Sequence, residues 1–280
     1  MASLVLTLSC ADRPGIVHEV TGAILAWGGN VTESAQFHDP DTQEFFMRVA
    51  FAGSGTQGGF EDALAPVATR YDARAAVHDA DRRMRTLVLV SKTGHCLNDL
   101  LYRARIGALP VRLVGVASNH EDWRDRTEAE GLPFTHLPVT KETKPAQEAR
   151  LLALIEETDA ELIVLARYMQ VLSDGLSRRL SGRVINIHHA FLPSFKGARP
   201  YHRAHARGVK MIGATAHYVT PDLDEGPIIE QGVIRVHHGM SPEQLVAAGR
   251  DVEASVLARA VALHAENRVL LNGERTVVFG

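Results

Sequence analysis

The sequence predicts an α/β protein in two units: a ferredoxin-like βαββαβ domain over residues 1–81, then a doubly wound, mostly parallel sheet over residues 86–280. Three observations carry this reading. A length of 280 residues favours about two domains. The first segments follow the order β-α-β-β-α-β, whereas the later ones are short, continuous apolar runs separated by helical stretches. Between them, Asp79-Ala80-Asp81-Arg82-Arg83-Met84-Arg85 is charged and keeps neither periodicity, as a linker does.

Taken in order, residues 3–9 and 43–51 are rich in apolar and β-branched types and read as strands. Pro14 to Trp27 sets Ile16, Val20, Ile24 and Leu25 at helical spacing. Strands near 30–38 and 73–79 and a helix near 60–70 complete the first unit. Gly28-Gly29-Asn30 stops the first helix, and Gly53-Ser54-Gly55 marks the loop after the third strand. In the second unit, Thr86–Val90, Val111–Ala117 and Leu162–Leu165 read as strands buried on both faces. Helical stretches lie near 95–106, 122–131 and 145–158. Arg183 to His189 is a further strand, and a helix over 241–265 precedes a last strand near Arg275 to Phe279.

The composition is 45% hydrophobic and 22% charged with a formal net charge of -3, which suits a soluble globular chain. It offers no clustered basic surface, so no nucleic-acid partner is expected. No run reaches the ~18 apolar residues of a membrane span, and the amino terminus does not read as a signal peptide. Cys10 and Cys96 are too few for a disulfide framework; a reducing, cytoplasmic compartment is expected.

Open α/β sheets bind ligands beyond the carboxyl ends of their strands. There, Asn186 and His188 lie two residues apart on one strand and project to the same side. An amide can donate to an oxyanion and an imidazole can donate, accept or carry charge, although this pair alone reads more simply as a satisfied polar strand end. Phe191-Leu192-Pro193-Ser194-Phe195-Lys196-Gly197 follows, then His217-Tyr218-Val219 and Asp222-Leu223-Asp224-Glu225-Gly226-Pro227. Asn-Ile-His, Leu-Pro, a later His and Asp-Glu-Gly-Pro together resemble the folate-dependent formyltransferase family.

That resemblance implies a formyltransferase-type sheet, 10-formyltetrahydrofolate as substrate, and neither a prosthetic group nor a metal. It implies catalytic roles for Asn186, His188 and Asp224, with Asn and His polarising the formyl carbonyl and Asp managing water and protons. It implies substrate-binding roles for Arg167, Met169, Gln170, Leu172, His217 and Asp222. His217 could instead be structural, and Met169 and Leu172 could belong to the core.

Family members differ in their formyl acceptor. Those using a phosphorylated ribosyl amine carry Gly-Asn-Gly-Ser after the first strand, whose backbone donors can cradle phosphate. Here Ser91-Lys92-Thr93-Gly94-His95-Cys96 keeps one glycine. Lys92–Cys96, Thr140–Lys144, Ala198–His202 and Ile212–Val219 resemble instead the branch that gives the formyl group to water. The implied activity releases formate and tetrahydrofolate in one-carbon and purine metabolism. Alternatives are a formyltransferase with an unidentified amine acceptor and a folate sensor without turnover. Ala190 departs from the small hydroxyl residue expected after the paired histidines. Cys96 could be a nucleophile or a packed residue at a helix start. His188, His189, His202 and His205 raise a metal site, but no His-Glu-x-x-His is present. His237-His238 reads as solvated loop.

Asp12-Arg13-Pro14-Gly15-Ile16-Val17 with Gly28-Gly29-Asn30 resembles the ACT regulatory family. The resemblance implies an amino-acid effector near Asp12, Gly15 and Asn30, and pairing of sheets into a homo-oligomer; a purely oligomerising module is the alternative.

Overall fold

A computed structural model describes residues 1–192 and 200–280. It divides into two compact units: Met1–Arg82 with Glu266–Asn272 and Thr276–Gly280, and Arg83–Ala265 with Gly273–Arg275.

The first unit runs β1 (Ala2–Ala11), α1 (Ile16–Ala26), β2 (Gly29–Asp39), β3 (Glu44–Gly53), α2 (Gln57–Tyr71) and β4 (Arg74–Asp79). Its sheet has the order β2-β3-β1-β4 with antiparallel pairings, the ferredoxin-like arrangement. Leu4, Leu6 and Leu8 alternate onto one face of β1 and meet Ile16, Val20 and Ile24 of α1 and Phe60, Leu64 and Val67 of α2. Leu25, expected on the same helical stripe, is exposed because it lies about 100° round the helix from Ile24. Gly15, with φ of 99°, turns the chain into α1 one residue after Pro14. Thr56 caps α2 by accepting a hydrogen bond from the Gly59 backbone N–H at 3.2 Å.

The second unit contains β5 (Met84–Val90), α3 (His95–Arg105), β6 (Val111–Ser118), α4 (Arg124–Glu128), β7 (Phe134–His136), α5 (Lys144–Glu157) and β8 (Leu162–Leu165). It continues through α6 (Asp174–Arg179), β9 (Val184–His188), α7 (Pro200–Ala206), β10 (Met211–Tyr218), β11 (Ile228–Arg235) and α8 (Pro242–Ala265). The sheet order is β11-β10-β9-β8-β5-β6-β7. Strands β9, β8, β5, β6 and β7 are parallel, and β10 runs antiparallel to both β9 and β11. The chain steps outward from β5 to β7 and returns on the other side through β8, so the strand order reverses between β5 and β8. Carboxyl ends at such a reversal frame a crevice. Leu87, Leu89, Ile163, Leu165 and Val184 fill the core beneath it.

Short or polar elements escaped the sequence reading: the three-residue β7, α6, α7, and the edge strand β11, whose Val233 and Ile234 are exposed. The carboxyl-terminal hairpin, β12 (Val269–Asn272) and β13 (Arg275–Val278), lies mostly in the first unit, whereas the sequence reading kept the chain in the second domain to residue 280. Its attachments are polar and distant in sequence. Arg268 donates to Glu33 at 2.8 and 3.1 Å, Asn272 to Asp39 at 2.5 Å, and Arg48 to the Glu266 carbonyl at 3.1 Å. No local periodicity encodes such pairings.

Candidate active site

Strand β9 ends with Ile185-Asn186-Ile187-His188, and Asn186 faces His217 across the antiparallel pairing with β10. Asn186 Nδ2 lies 3.2 Å from His217 Nε2, and His217 Nδ1 lies 2.9 Å from the Tyr218 carbonyl. An N–H on Nδ1 satisfies that carbonyl and leaves Nε2 to accept from the Asn186 amide. Asp224 returns from the β10–β11 loop: its Oδ2 is 3.2 Å from His188 Nδ1 and its Oδ1 is 3.7 Å from His217 Nε2. Gly226 makes that return possible, because a Cβ there would stand 1.8 Å from the Tyr218 carbonyl oxygen.

Burial opposes ionisation of Asp224, yet the hydrogen bond from His188 and the nearby His217 ring more than offset it and hold the carboxyl well below the usual carboxylate range. His188 is buried, and its Nε2 has no hydrogen-bond partner among the described residues. A buried polar atom left open in this way is fitted to accept or donate a hydrogen bond to a bound molecule. Asp224 has φ of 57° and Arg167 φ of 64°, both left-handed without being glycine. Strain of this kind gathers at functional sites.

The loop after β8 is tied to the end of β5: the Met169 N–H donates to Ser91 Oγ at 2.9 Å, and Ser91 donates to Asn119 at 2.7 Å. Met169 is 61% exposed, Val171 is exposed, and Gln170 is half-buried, giving an apolar rim beside polar backbone. Leu172 instead lies in the core. The Asp222 side chain is exposed, and its carbonyl accepts from Thr220 Oγ1 at 3.1 Å.

One centre was missed in the sequence. Glu253 of α8 is 1% exposed and accepts from Tyr201 OH at 2.6 Å, with His95 Nε2 at 3.0 Å and Arg167 Nε at 3.3 Å. Arg167 also reaches His189 Nδ1 at 2.5 Å, and the His189 ring stacks on His188 with centroids 5.0 Å apart. Burial, then the charges of Arg167 and His188, push His189 down to about 4. A signal existed: Leu245, Gly249, Glu253 and Leu257 fall at i, i+4, i+8 and i+12, so a carboxylate stands on the buried stripe of α8.

His95, Cys96 and Glu253 offer ligand atoms within 4.8 Å of one another. The Glu253 carboxylate is already engaged by His95, Tyr201 and Arg167, and burial followed by Glu253 pushes the Cys96 thiol up, which opposes a nucleophilic thiolate. His202 and His205 are exposed on α7, as are His237 and His238 in their loop.

In the first unit, Asp12 and Gly15 line a cavity of about 450 Å³ with Arg13, Ile16, Val17, His18 and Phe45. Asn30 does not join them. It pairs with Ala52 at the far end of a sheet whose near end holds Ala11 and Glu44, roughly 25 Å away at the usual rise per strand residue. Helix α1 carries the chain back along the sheet between Gly15 and Asn30, which separates them within one chain.

Residues 84–261 match the formyl transferase family model. A curated relative, the formyltetrahydrofolate deformylase of Corynebacterium sp. strain P-1, is 51% identical over 278 residues, 98% of this chain and 97% of the relative. The crystal structure of a formyltetrahydrofolate deformylase from Burkholderia mallei superposes with a TM-score of 0.97 at 51% identity, covering 100% of both chains. Glycinamide ribonucleotide transformylase 1 from Symbiobacterium toebii shares a TM-score of 0.66 at 30% identity, covering 71% of this chain and 95% of its own. With a formyltransferase sheet, a His-Asn-Asp cluster at its carboxyl end and near full-length likeness to these relatives, the chain belongs to the formyltetrahydrofolate deformylase family.

Proposed function

We propose that this protein hydrolyses 10-formyltetrahydrofolate to formate and tetrahydrofolate, with Asn186, His188 and Asp224 as the catalytic residues and no prosthetic group. The observation that carries the reading is the buried His188 Nε2 beside Asn186, unpartnered among the described residues, on a ring whose Nδ1 is held by Asp224. The formyl oxygen accepts from Asn186 Nδ2 and His188 Nε2. With one proton held toward Asp224, a second on Nε2 makes the ring a cationic donor, and each preorganised donor contributes roughly 10²–10³-fold. The water oxygen bonds to the formyl carbon, the bond from that carbon to N10 breaks, one proton of the water passes to N10, and formate leaves with release of the other. Asp224 stays ionised through the neutral range, so it orients water and His188 throughout. The exposed apolar rim of Met169 suits the flat pteridine, with backbone groups of Arg167 to Leu172 and the side chains of Gln170, His217 and Asp222 completing the folate contacts.

The test is formate release from 10-formyltetrahydrofolate by purified protein, without amine and with a metal chelator. Release that vanishes in His188→Ala is expected; no release from the wild type turns the reading to a formyltransferase.

The first unit is read as an ACT-like regulatory domain. Its support is the βαββαβ order and the cavity at Asp12 and Gly15, which suits an amino-acid effector. The edge strand β2 exposes Val31 and Phe37, a surface that a second copy would cover in a homo-oligomer. Free Cys10 and Cys96 suit the cytoplasm. Calorimetry against the twenty amino acids is expected to show heat for at least one with a change in turnover; silence for all leaves the domain a structural role.

A further inference from the structure

Beyond the ends of β5, β8 and β9, beside His188, a cluster of charged and polar side chains stands at the crevice. Arg167 projects from the end of β8 and lies between Glu253 Oε2, 3.3 Å from its Nε, and His189 Nδ1, 2.5 Å from its NH1. His95 and Tyr201 complete the ring of donors around Glu253. Gly249, one turn before Glu253, leaves the space that the Tyr201 ring fills. The polarising cluster needs none of these groups, since Asn186, His188, His217 and Asp224 bond among themselves.

Arg167 holds a left-handed backbone that favours glycine, so what its head group does must compensate for a strained position. The guanidinium is 16% exposed and neutralised by a carboxylate that would be costly to bury alone. A structural neighbour on the same sheet bears the name of a glycinamide ribonucleotide transformylase, whose acceptor is far bulkier than water.

The geometry points to Arg167 as a specificity-determining residue that, paired with Glu253, fills the acceptor side of the formyl site and admits water but no amine. This rests on the hydrolase reading. With the plug removed, an amine nitrogen bonds to the formyl carbon, the bond from that carbon to N10 breaks, and the amine proton passes to N10. The products are a formamide and tetrahydrofolate.

Arg167→Gly suits the backbone and opens the crevice; Arg167→Gly with Glu253→Gln also removes the unpaired charge. Wild type and both variants, their folding checked by thermal unfolding, are given 10-formyltetrahydrofolate with glycinamide as the amine probe, and formate and N-formylglycinamide are measured by mass spectrometry. The wild type is expected to give formate alone, and at least one folded variant to send about a tenth or more of its turnover to N-formylglycinamide. Formate alone from the folded variants, loss of all product in both, unfolding of both, or N-formylglycinamide from the wild type overturns the assignment. A wild type that yields neither product fails the hydrolase reading first, and the specificity role falls with it.

Discussion

Asp224 joins a charge to a backbone constraint, and substitution can separate the two. Asn tolerates the left-handed conformation that Asp224 adopts, so Asp224→Asn removes the charge while sparing the loop. Turnover should fall by about 10²–10⁴-fold at neutral pH with little loss of thermal stability. Asp224→Ala should lose as much activity and be less stable by about 1 kcal/mol, because Ala at that φ is strained; equal melting temperatures for the two variants would contradict the argument. His189 gives a pH signature. Its folded value of about 4 lies below the unfolded value near 6.5, so the unfolded chain binds more protons between them. The stability it contributes is full above about 6.5 and is lost as pH falls toward 4, with an upper bound of roughly 3 kcal/mol reduced by the ring's partial exposure. In His189→Asn, urea midpoints measured from pH 4 to 7 should vary less than in the wild type.

At the level of elements, two glycines decide how strands and helices meet. In an exposed helix interior, Gly to Ala stabilises by about 1 kcal/mol. At Gly249 of α8 the sign reverses, since a Cβ would stand 2.2 Å from the Tyr201 ring. Gly249→Ala should cost about 1–3 kcal/mol by overpacking and lower the melting temperature. Gly226→Ala should push the β10–β11 loop away from Tyr218 and carry Asp224 off His188, so turnover, measured as formate release, falls. Gly249 stands out in the sequence only once its neighbours are known, whereas Gly226 lies in the Asp-Glu-Gly-Pro segment that the sequence already offers.

For the whole molecule, the carboxyl-terminal hairpin is part of the first unit's stability. Deleting residues 266–280 removes the Arg268–Glu33 and Asn272–Asp39 bonds and the Glu266 carbonyl that Arg48 donates to. Burial lowers the Arg48 pKa, and losing an acceptor for that buried charge should destabilise the chain by about 1–3 kcal/mol. A truncated protein with an unchanged thermal transition would show these bonds to be dispensable.

The order of the main elements and the shared strand side of Asn186 and His188 are legible in the sequence, whereas Asp224 and His217 are reached only through the family resemblance. Leu4, Leu6 and Leu8 alternate, Ile16, Val20 and Ile24 keep helical spacing, and Leu162 to Leu165 form an unbroken apolar run; these are local consequences of chain geometry. Asn186 and His188 share a strand side for the same reason. Which distant groups meet follows from the packing of the folded chain. His217 faces Asn186 through the antiparallel register of β10, Arg167 meets Glu253 across the sheet end, and Asn30 is carried away from Asp12 by the direction of α1. Such pairings depend on strand order and register, which involve residues tens to hundreds of positions apart, and no window along the chain contains both partners.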